Sequence, residues 1–176
     1  MTRNALTRNH VMVHSALTRY RRTPSQEPIL RLIAFQLRHN WFCLPLTVAR
    51  RVIPCSAQNP ALELGFTQLH NEPVPLVDIA ERVYQPAPLL LGNLEPPRAL
   101  SSLPTQTIVV VDSPKWGLLG LLVDSTPSLK RARQSNFSPV PAAYLMINHL
   151  QGINTLITLS ETEPPLFFLE VDTFFP

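Results

Sequence analysis

Pro73 and Pro75 stand two residues apart, with Val74 between them. Successive amides of an extended strand face opposite sides, so prolines at this spacing delete two donors from one side only and leave Val74 to pair on the other. The strand that carries them is therefore expected to be a sheet edge or to end at a bulge. Its surroundings read as a hairpin. Leu64-Gly65-Phe66-Thr67-Gln68-Leu69 and Val74-Pro75-Leu76-Val77 are short apolar runs around His70-Asn71-Glu72, and Asn tolerates the left-handed backbone of a tight turn. Asp78 follows, with Glu81 three residues on. A carboxylate N-cap with a reciprocal Glu predicts a short helix bearing Ile79 and Val83 on one face.

The same grammar runs through the rest of the chain. Leu30 to Leu37 reads as a strand with one face more apolar than the other, Arg38-His39-Asn40 as a turn, and Trp41 to Leu46 as the returning strand. Thr107 to Val111 and Gly117 to Val123 flank Asp112-Ser113-Pro114-Lys115-Trp116. The second of these, with Leu118-Leu119-Gly120-Leu121-Leu122-Val123, is apolar on both faces and must be covered on both sides, which fits an interface between two packed barrels. Ile153 to Leu159 and Leu166 to Val171 form a closing hairpin around Ser160 to Pro165, with Asp172 capping a short helix from Thr173. Periodicity alone gives a β-rich domain. The 19 prolines against 5 glycines suit short strands and stiff loops, and leave little for a glycine-rich phosphate cradle. With 176 residues, 45% of them hydrophobic, the chain can bury a core of its own. Its longest apolar runs fall far short of the roughly 20 residues that cross a bilayer.

Charge is unevenly distributed. Residues 1–28 carry five Arg against the single Glu27, a balance of +4, and the remainder stands at −1. A near-neutral body with a basic arm differs from a dedicated nucleic-acid binder, which carries its basic face on the fold. The arm superficially resembles an organelle transit peptide, but a disordered arm is the preferred reading. His10 and His14, at i and i+4, lack a third metal ligand. Residues 85–106 hold five prolines without periodicity and read as a semi-rigid linker, with Leu89-Leu90-Leu91 packing on the body or serving as a docking motif. Lys130, Arg131 and Arg133 form a basic cluster that reads as a solvated loop or as a patch for an acidic partner. Cys43 and Cys55 lack C-x-x-C spacing and read as reduced, buried thiols.

Catalytic signatures are sparse. Val110-Val111-Asp112-Ser113 and Leu122-Val123-Asp124-Ser125 echo the paired D-[ST]-G loops of aspartic proteases, but Pro114 and Thr126 replace the glycines. Two such loops only 12 residues apart could not bring carboxylates together to share a proton. Asp112 and Asp124 are read instead as turn and strand-end residues bonded to their own backbone. The histidines share no ligand spacing, and no nucleotide or serine-hydrolase motif is present. No catalytic residue, cofactor or metal is assigned.

The central stretch resembles the CheW-like domain, the coupling fold of bacterial chemotaxis, whose signature runs roughly G-V-x-N-L-R-G-x-x-x-P-I-V-D-L. Gly65, Phe66, Gln68, Leu69, His70, Asn71, Pro75, Leu76, Val77, Asp78 and Ile79 fall in register with it. His70-Asn71 replaces the family's Arg-Gly at the hairpin tip, exchanging a permanent cation for a group of the type that titrates near neutrality. The resemblance begins near Leu32, with an F-x-L strand, a polar turn and an aromatic-x-I strand, and extends to Phe175. Leu46 to Val52 matches a short turn of helix, with Arg51 where an acid is usual. Gly120, Leu121, Val123 and Asp124 match a G-I-x-V-D strand, and Phe137 to Pro141 an I-x-P-A-P segment.

The resemblance implies an all-β fold of two small SH3-like five-stranded barrels packed together, with a few short helices. The first barrel is expected at about 29–84 and the second at about 107–176, joined by the linker 85–106. It also implies a cytoplasmic, non-enzymatic adaptor that ties the cytoplasmic tip of a chemoreceptor to the regulatory domain of a CheA-type histidine kinase. The expected partner-binding residues are Ala49, Arg51, Val52, Gln68, Leu69, His70 and Asn71, near a groove between the barrels. A module binding nucleic acid through its basic arm is the alternative, and an aspartic-protease-like hydrolase a more distant one. Neither nucleic acid nor direct membrane insertion is expected.

Overall fold

A computed structural model of the chain describes residues 27–55, 65–84 and 107–173. The expectations for residues 1–26, including His10 and His14, and for the segment 85–106 lie outside these residues, as does Phe174 onward. Eleven strands are present among the described residues: β1 (Ile29–Leu37), β2 (Asn40–Pro45), β3 (Ala49–Pro54), β4 (Phe66–Leu69), β5 (Glu72–Asp78), β6 (Thr107–Ser113), β7 (Gly117–Val123), β8 (Ser128–Arg133), β9 (Phe137–Pro139), β10 (Thr155–Ile157) and β11 (Leu166–Phe168). Two short helices, α1 (Ile79–Val83) and α2 (Ala142–Ile147), accompany them. The strands form two curled sheets of SH3-like character, a six-stranded one ordered β8-β1-β2-β11-β10-β9 and a five-stranded one ordered β3-β6-β7-β5-β4.

The sheets do not divide the chain at the 85–106 segment as expected. β1 and β2 belong with β8 to β11, whereas β3, β4 and β5 join β6 and β7. The reason lies in the even-numbered face of β1. Leu32 and Ala34 are apolar and need cover, which Ala132, Ile157 and Leu166 from the C-terminal half supply, together with Cys43. The odd-numbered face, with Ile33, Phe35 and Leu37, enters a different and larger core with Phe42, Leu44, Val109, Val111, Leu121 and Phe167. This core draws on both sheets. Leu69, Val74, Ile108, Val110 and Leu122 fill a third, on the far face of the five-stranded sheet. Each sheet thus has an inner core, and the two share a central one.

β6 and β7 show why both faces had to be apolar. Val109 and Leu121 oppose each other toward the shared core, while Ile108 and Leu122 oppose each other toward the inner one. β7 also receives β5 in parallel from Leu76 to Asp78. A Cβ on Gly120 would lie 2.7 Å from Leu76 Cδ2, so this close approach accounts for the glycine. β5 is therefore interior at its C-terminal end, not the edge expected from its prolines. Their effect is seen in the register. Val74 pairs with Thr67 of β4, and pairing with β7 starts only after Pro75. The edge is β4. Asp78 caps α1 as expected, accepting from Ala80 N at 3.0 Å, and Ile79 and Val83 are buried.

Other expectations change. Glu27 is not part of a free arm, because its carboxylate accepts from Ser135 N and Ser135 Oγ. Lys130 to Arg133 lie on a strand rather than in a loop, and Lys130 Nζ meets Glu163 Oε2 at 2.6 Å. Asp172 sits inside a 3-10 turn, Val171–Thr173, where it accepts from Ser113 Oγ. The free thiols belong to different cores, Cys43 with the inner core of the six-stranded sheet and Cys55 beside that of the other.

Tyr84 joins α1 to the β1–β2 turn. Its hydroxyl donates to Leu37 O at 2.8 Å and accepts from Asn40 Nδ2 at 3.0 Å, and the Arg38 guanidinium lies 4.6 Å from the ring centre. Tyr84→Phe is expected to cost about 1–3 kcal/mol, because Leu37 O loses its side-chain donor in a buried setting. Chemical denaturation measures this. Burial pushes the Cys43 thiol up from 9.0 to about 12, and burial likewise raises the Tyr84 phenol. Both groups are held neutral in the fold, so their contribution is complete below the unfolded pKa and is lost as pH rises through the folded one. Urea midpoints are expected to hold steady up to about pH 8 and to decline above about pH 9, with Cys43→Ala showing a shallower decline.

Candidate partner-binding site

The chain crosses between sheets at Leu46-Thr47-Val48. Leu46 N donates to Arg31 O at 2.9 Å, and Asp112 N donates to Val48 O at 2.8 Å, so this crossing is fastened to a strand of each sheet. β3 then starts with a register shift between Ala49 and Arg51 against β6. Ala49 to Val52 were expected to continue a turn of helix. They form a bulged edge strand instead, because β6 offers an open ladder that a helix could not satisfy.

A cleft of about 270 Å³ lies where β3 approaches β8. Ile33 and Leu46 line it together with Ala49 to Val52 on one wall and Pro127, Ser128 and Leu129 on the other. Val52 opposes Val109 and so faces the six-stranded sheet, whereas Arg51 opposes Val110 and projects from the other face. Val52 is 42% exposed and Leu129 70% exposed, an apolar pair flanking the cleft. Arg50, the residue at the bulge, is exposed and places Nη2 at 2.5 Å from Asp112 Oδ2.

The expected site residues therefore fall in two places. Ala49, Arg51 and Val52 line the cleft; Gln68, Leu69, His70 and Asn71 belong to the β4–β5 hairpin, at the opposite end of the sheet order from β3. Leu69 is buried in the inner core and is structural. Gln68, His70 and Asn71 are exposed, and the two tip residues hold φ values of 51° and 70°, the left-handed turn foreseen from the sequence. Leu129 was missed. Its signal was an apolar residue between Ser128 and Lys130, but only the β1–β8 register, Ile33 opposite Leu129, shows that it borders the shared core.

The paired Asp-Ser elements do not form a catalytic dyad. Asp112 opposes Leu118 near the turn of the β6–β7 hairpin, while Asp124 follows Val123, which opposes Thr107 at the other end. Across that length of strand the carboxylates are separated by roughly 20 Å. Both reach beyond their own backbone. Asp112 accepts from Arg50, and Asp124 accepts from Arg38 N at 2.5 Å, each binding a neighbouring segment. Among the described residues, no group of three or more His, Cys, Asp or Glu could hold a metal. No described helix is long and apolar enough to cross a membrane.

The family model described as CheW-like domain matches residues 31–173. Among solved structures, the scaffolding protein TtCheW from Thermoanaerobacter tengcongensis superposes with a TM-score of 0.54 at 13% identity, covering 82% of this chain and 90% of that one. No curated protein sequence matches. At this identity the structural likeness speaks for the fold.

The hairpin tip gives a direct test. His70→Gly is expected to stabilise the protein by about 0.5–1 kcal/mol by relieving the left-handed strain on a side chain, offset in part by unfolded-state entropy. A higher urea midpoint checks this, and loss of stability would mean that the imidazole makes a compensating contact.

Proposed function

We propose, from the premise that the chain belongs to the CheW-like domain family of chemotaxis scaffolds, that it acts as a non-enzymatic cytoplasmic adaptor. Its partners are the cytoplasmic tip of a chemoreceptor and the regulatory domain of a CheA-type histidine kinase. The observation that carries the reading is the open, apolar-flanked cleft between two sheets that share one core. Val52 and Leu129 offer an extended partner element an aliphatic seat, with the crossing at Leu46 to Val48 fixing the spacing of its walls.

An adaptor of this kind works by geometry. One partner sits in the cleft and the other on a separate surface, and the shared core prevents either sheet from yielding independently. A change in receptor conformation then alters which kinase geometry is favoured. The coupling can be no larger than the difference in contact free energy between the two states, ordinarily about 1–3 kcal/mol. The exposed tip His70-Asn71, at the far end of the sheet order from the cleft, is assigned to the second partner surface. It lacks the guanidinium of the family pattern, so apolar contact at the cleft carries more of the binding.

Calorimetric titration of the full-length protein against the kinase regulatory domain and the receptor tip from the same genome tests the adaptor role. Saturable binding is expected at about micromolar Kd, and it should survive removal of residues 1–26. No heat at tens of micromolar, a range of roughly −6 to −7 kcal/mol, would show that the partners have been exchanged. Val52→Asp is expected to weaken receptor binding by about tenfold or more while changing stability by no more than about 0.5 kcal/mol, as the side chain is half-exposed. Unchanged receptor affinity would remove the cleft from the interface.

A further inference from the structure

The six-stranded sheet presents a row of side chains whose charge the fold does not balance. Alternation along β1 places Ile29, Arg31 and Ile33 on one face, and the β8 register sets Arg133, Arg131 and Leu129 opposite them in turn. Ile33 enters the shared core and lines the cleft. The other five are exposed. Arg31 and Arg131 are thus directly opposed across an antiparallel pair, where like charges are destabilising. Among the described residues, neither has an ion-pair partner. Glu27, just before β1, is engaged by Ser135, and Glu163 by Lys130 of β8.

We propose that this row, continuous with the cleft, docks an acidic, aliphatic helix of a partner protein. Carboxylates would take the guanidiniums of Arg31 and Arg131, while aliphatic side chains would rest on Leu129 at one end and Ile29 at the other. Guanidinium groups recognise carboxylates in two-point contact, and desolvation between flanking aliphatics strengthens such pairs. The spacing agrees. Successive positions on one face of a strand are about 6.8 Å apart, and a helix rises about 6 Å over four residues, which return to nearly the same face. A helix with an aliphatic residue at i, acids at i+3 and i+4 and an aliphatic residue at i+7 or i+8 keeps all four on one face and matches the row.

Aliphatic rather than aromatic flanks favour a protein over single-stranded nucleic acid, which uses stacking platforms. The five arginines and absence of acids in residues 1–26 make that segment a like-charged and unsuitable occupant. Identification of the partner as the receptor or kinase rests on the adaptor reading, whereas the chemistry of the docking segment does not.

The test uses the full-length protein and fluorescence anisotropy with a synthetic helical peptide of this Leu/Glu pattern, beside a peptide with Lys in place of Glu. The Glu peptide is expected to bind and to lose affinity as salt rises. The double variant Arg31→Glu, Arg131→Glu should bind it at least about tenfold more weakly and gain affinity for the Lys peptide. Circular dichroism of the variant checks that the exposed substitutions leave the fold in place. Equal binding of the two peptides, or indifference to the double substitution, overturns the proposal. So does preferential binding of duplex DNA or of phosphatidylserine vesicles through the same arginines. Receptor-tip and kinase-domain titrations separate the two readings. If those partners bind but ignore the double variant, the adaptor role stands and the acidic-helix proposal fails for them; if neither binds while the Glu peptide does, the adaptor role fails and the docking chemistry stands.

Discussion

Contact between the two sheets through a single buried layer is the constraint on which the rest of this molecule depends. Phe42 and Phe167 meet there with ring centres 5.3 Å apart, and Val109, Val111 and Leu121 close the layer from the other sheet. Full burial of side chains of this size contributes about 1.5–3 kcal/mol each, far above the net value of any exposed ion pair in the structure. The Arg50–Asp112 and Lys130–Glu163 bridges lie on the exposed surface and orient segments more than they stabilise them. Because the same layer contains residues of β1, β2, β6, β7 and β11, neither sheet can rotate against the other without opening the densest part of the protein.

That rigidity sets the character of the candidate binding surface. The cleft between β3 and β8 is a consequence of where the shared core runs out: Ile33 is covered, and Leu129 beside it is not. Its width is fixed by two hydrogen bonds at the Leu46 to Val48 crossing, and its wall is an edge strand with a bulge. A preformed cleft of this kind spends little binding free energy on ordering itself. Membership of the CheW-like family is consistent with such a body of two sheets on one core.

Much of the local structure was legible because it rests on short-range chemistry. The turn at His70-Asn71, the Asp78 cap and the two-faced apolar strand Leu118 to Val123 each follow from a few adjacent residues. The pairing of distant segments was not legible. Nothing near β5 reveals that Leu76 to Asp78 acquire a parallel neighbour in β7, and nothing near Leu32 reveals that its cover comes from Ala132 and Leu166. The helix α2 was also missed, since Ala142-Ala143-Tyr144-Leu145-Met146-Ile147 follows two prolines and leaves Met146 and Ile147 exposed, giving no amphipathic signal. For the site, the sequence placed Ala49 to Val52 beside the hairpin tip by resemblance. The sheet order separates them, and the opposed Arg31 and Arg131 appear only once the β1–β8 register is known.

The parallel pairing of β2 with β11 sets the timetable of biosynthesis. Phe42 and Cys43 find their strand partners in Phe167 and Phe168, more than 120 residues later. While the chain is being made, the β1–β2 hairpin must wait with both outer ladders open, for β8 and then for β11, and loop closure over that distance makes the final step slow. The nascent protein therefore spends most of its synthesis with an apolar strand edge available to other chains, an exposure that the stability of the finished fold does not remove.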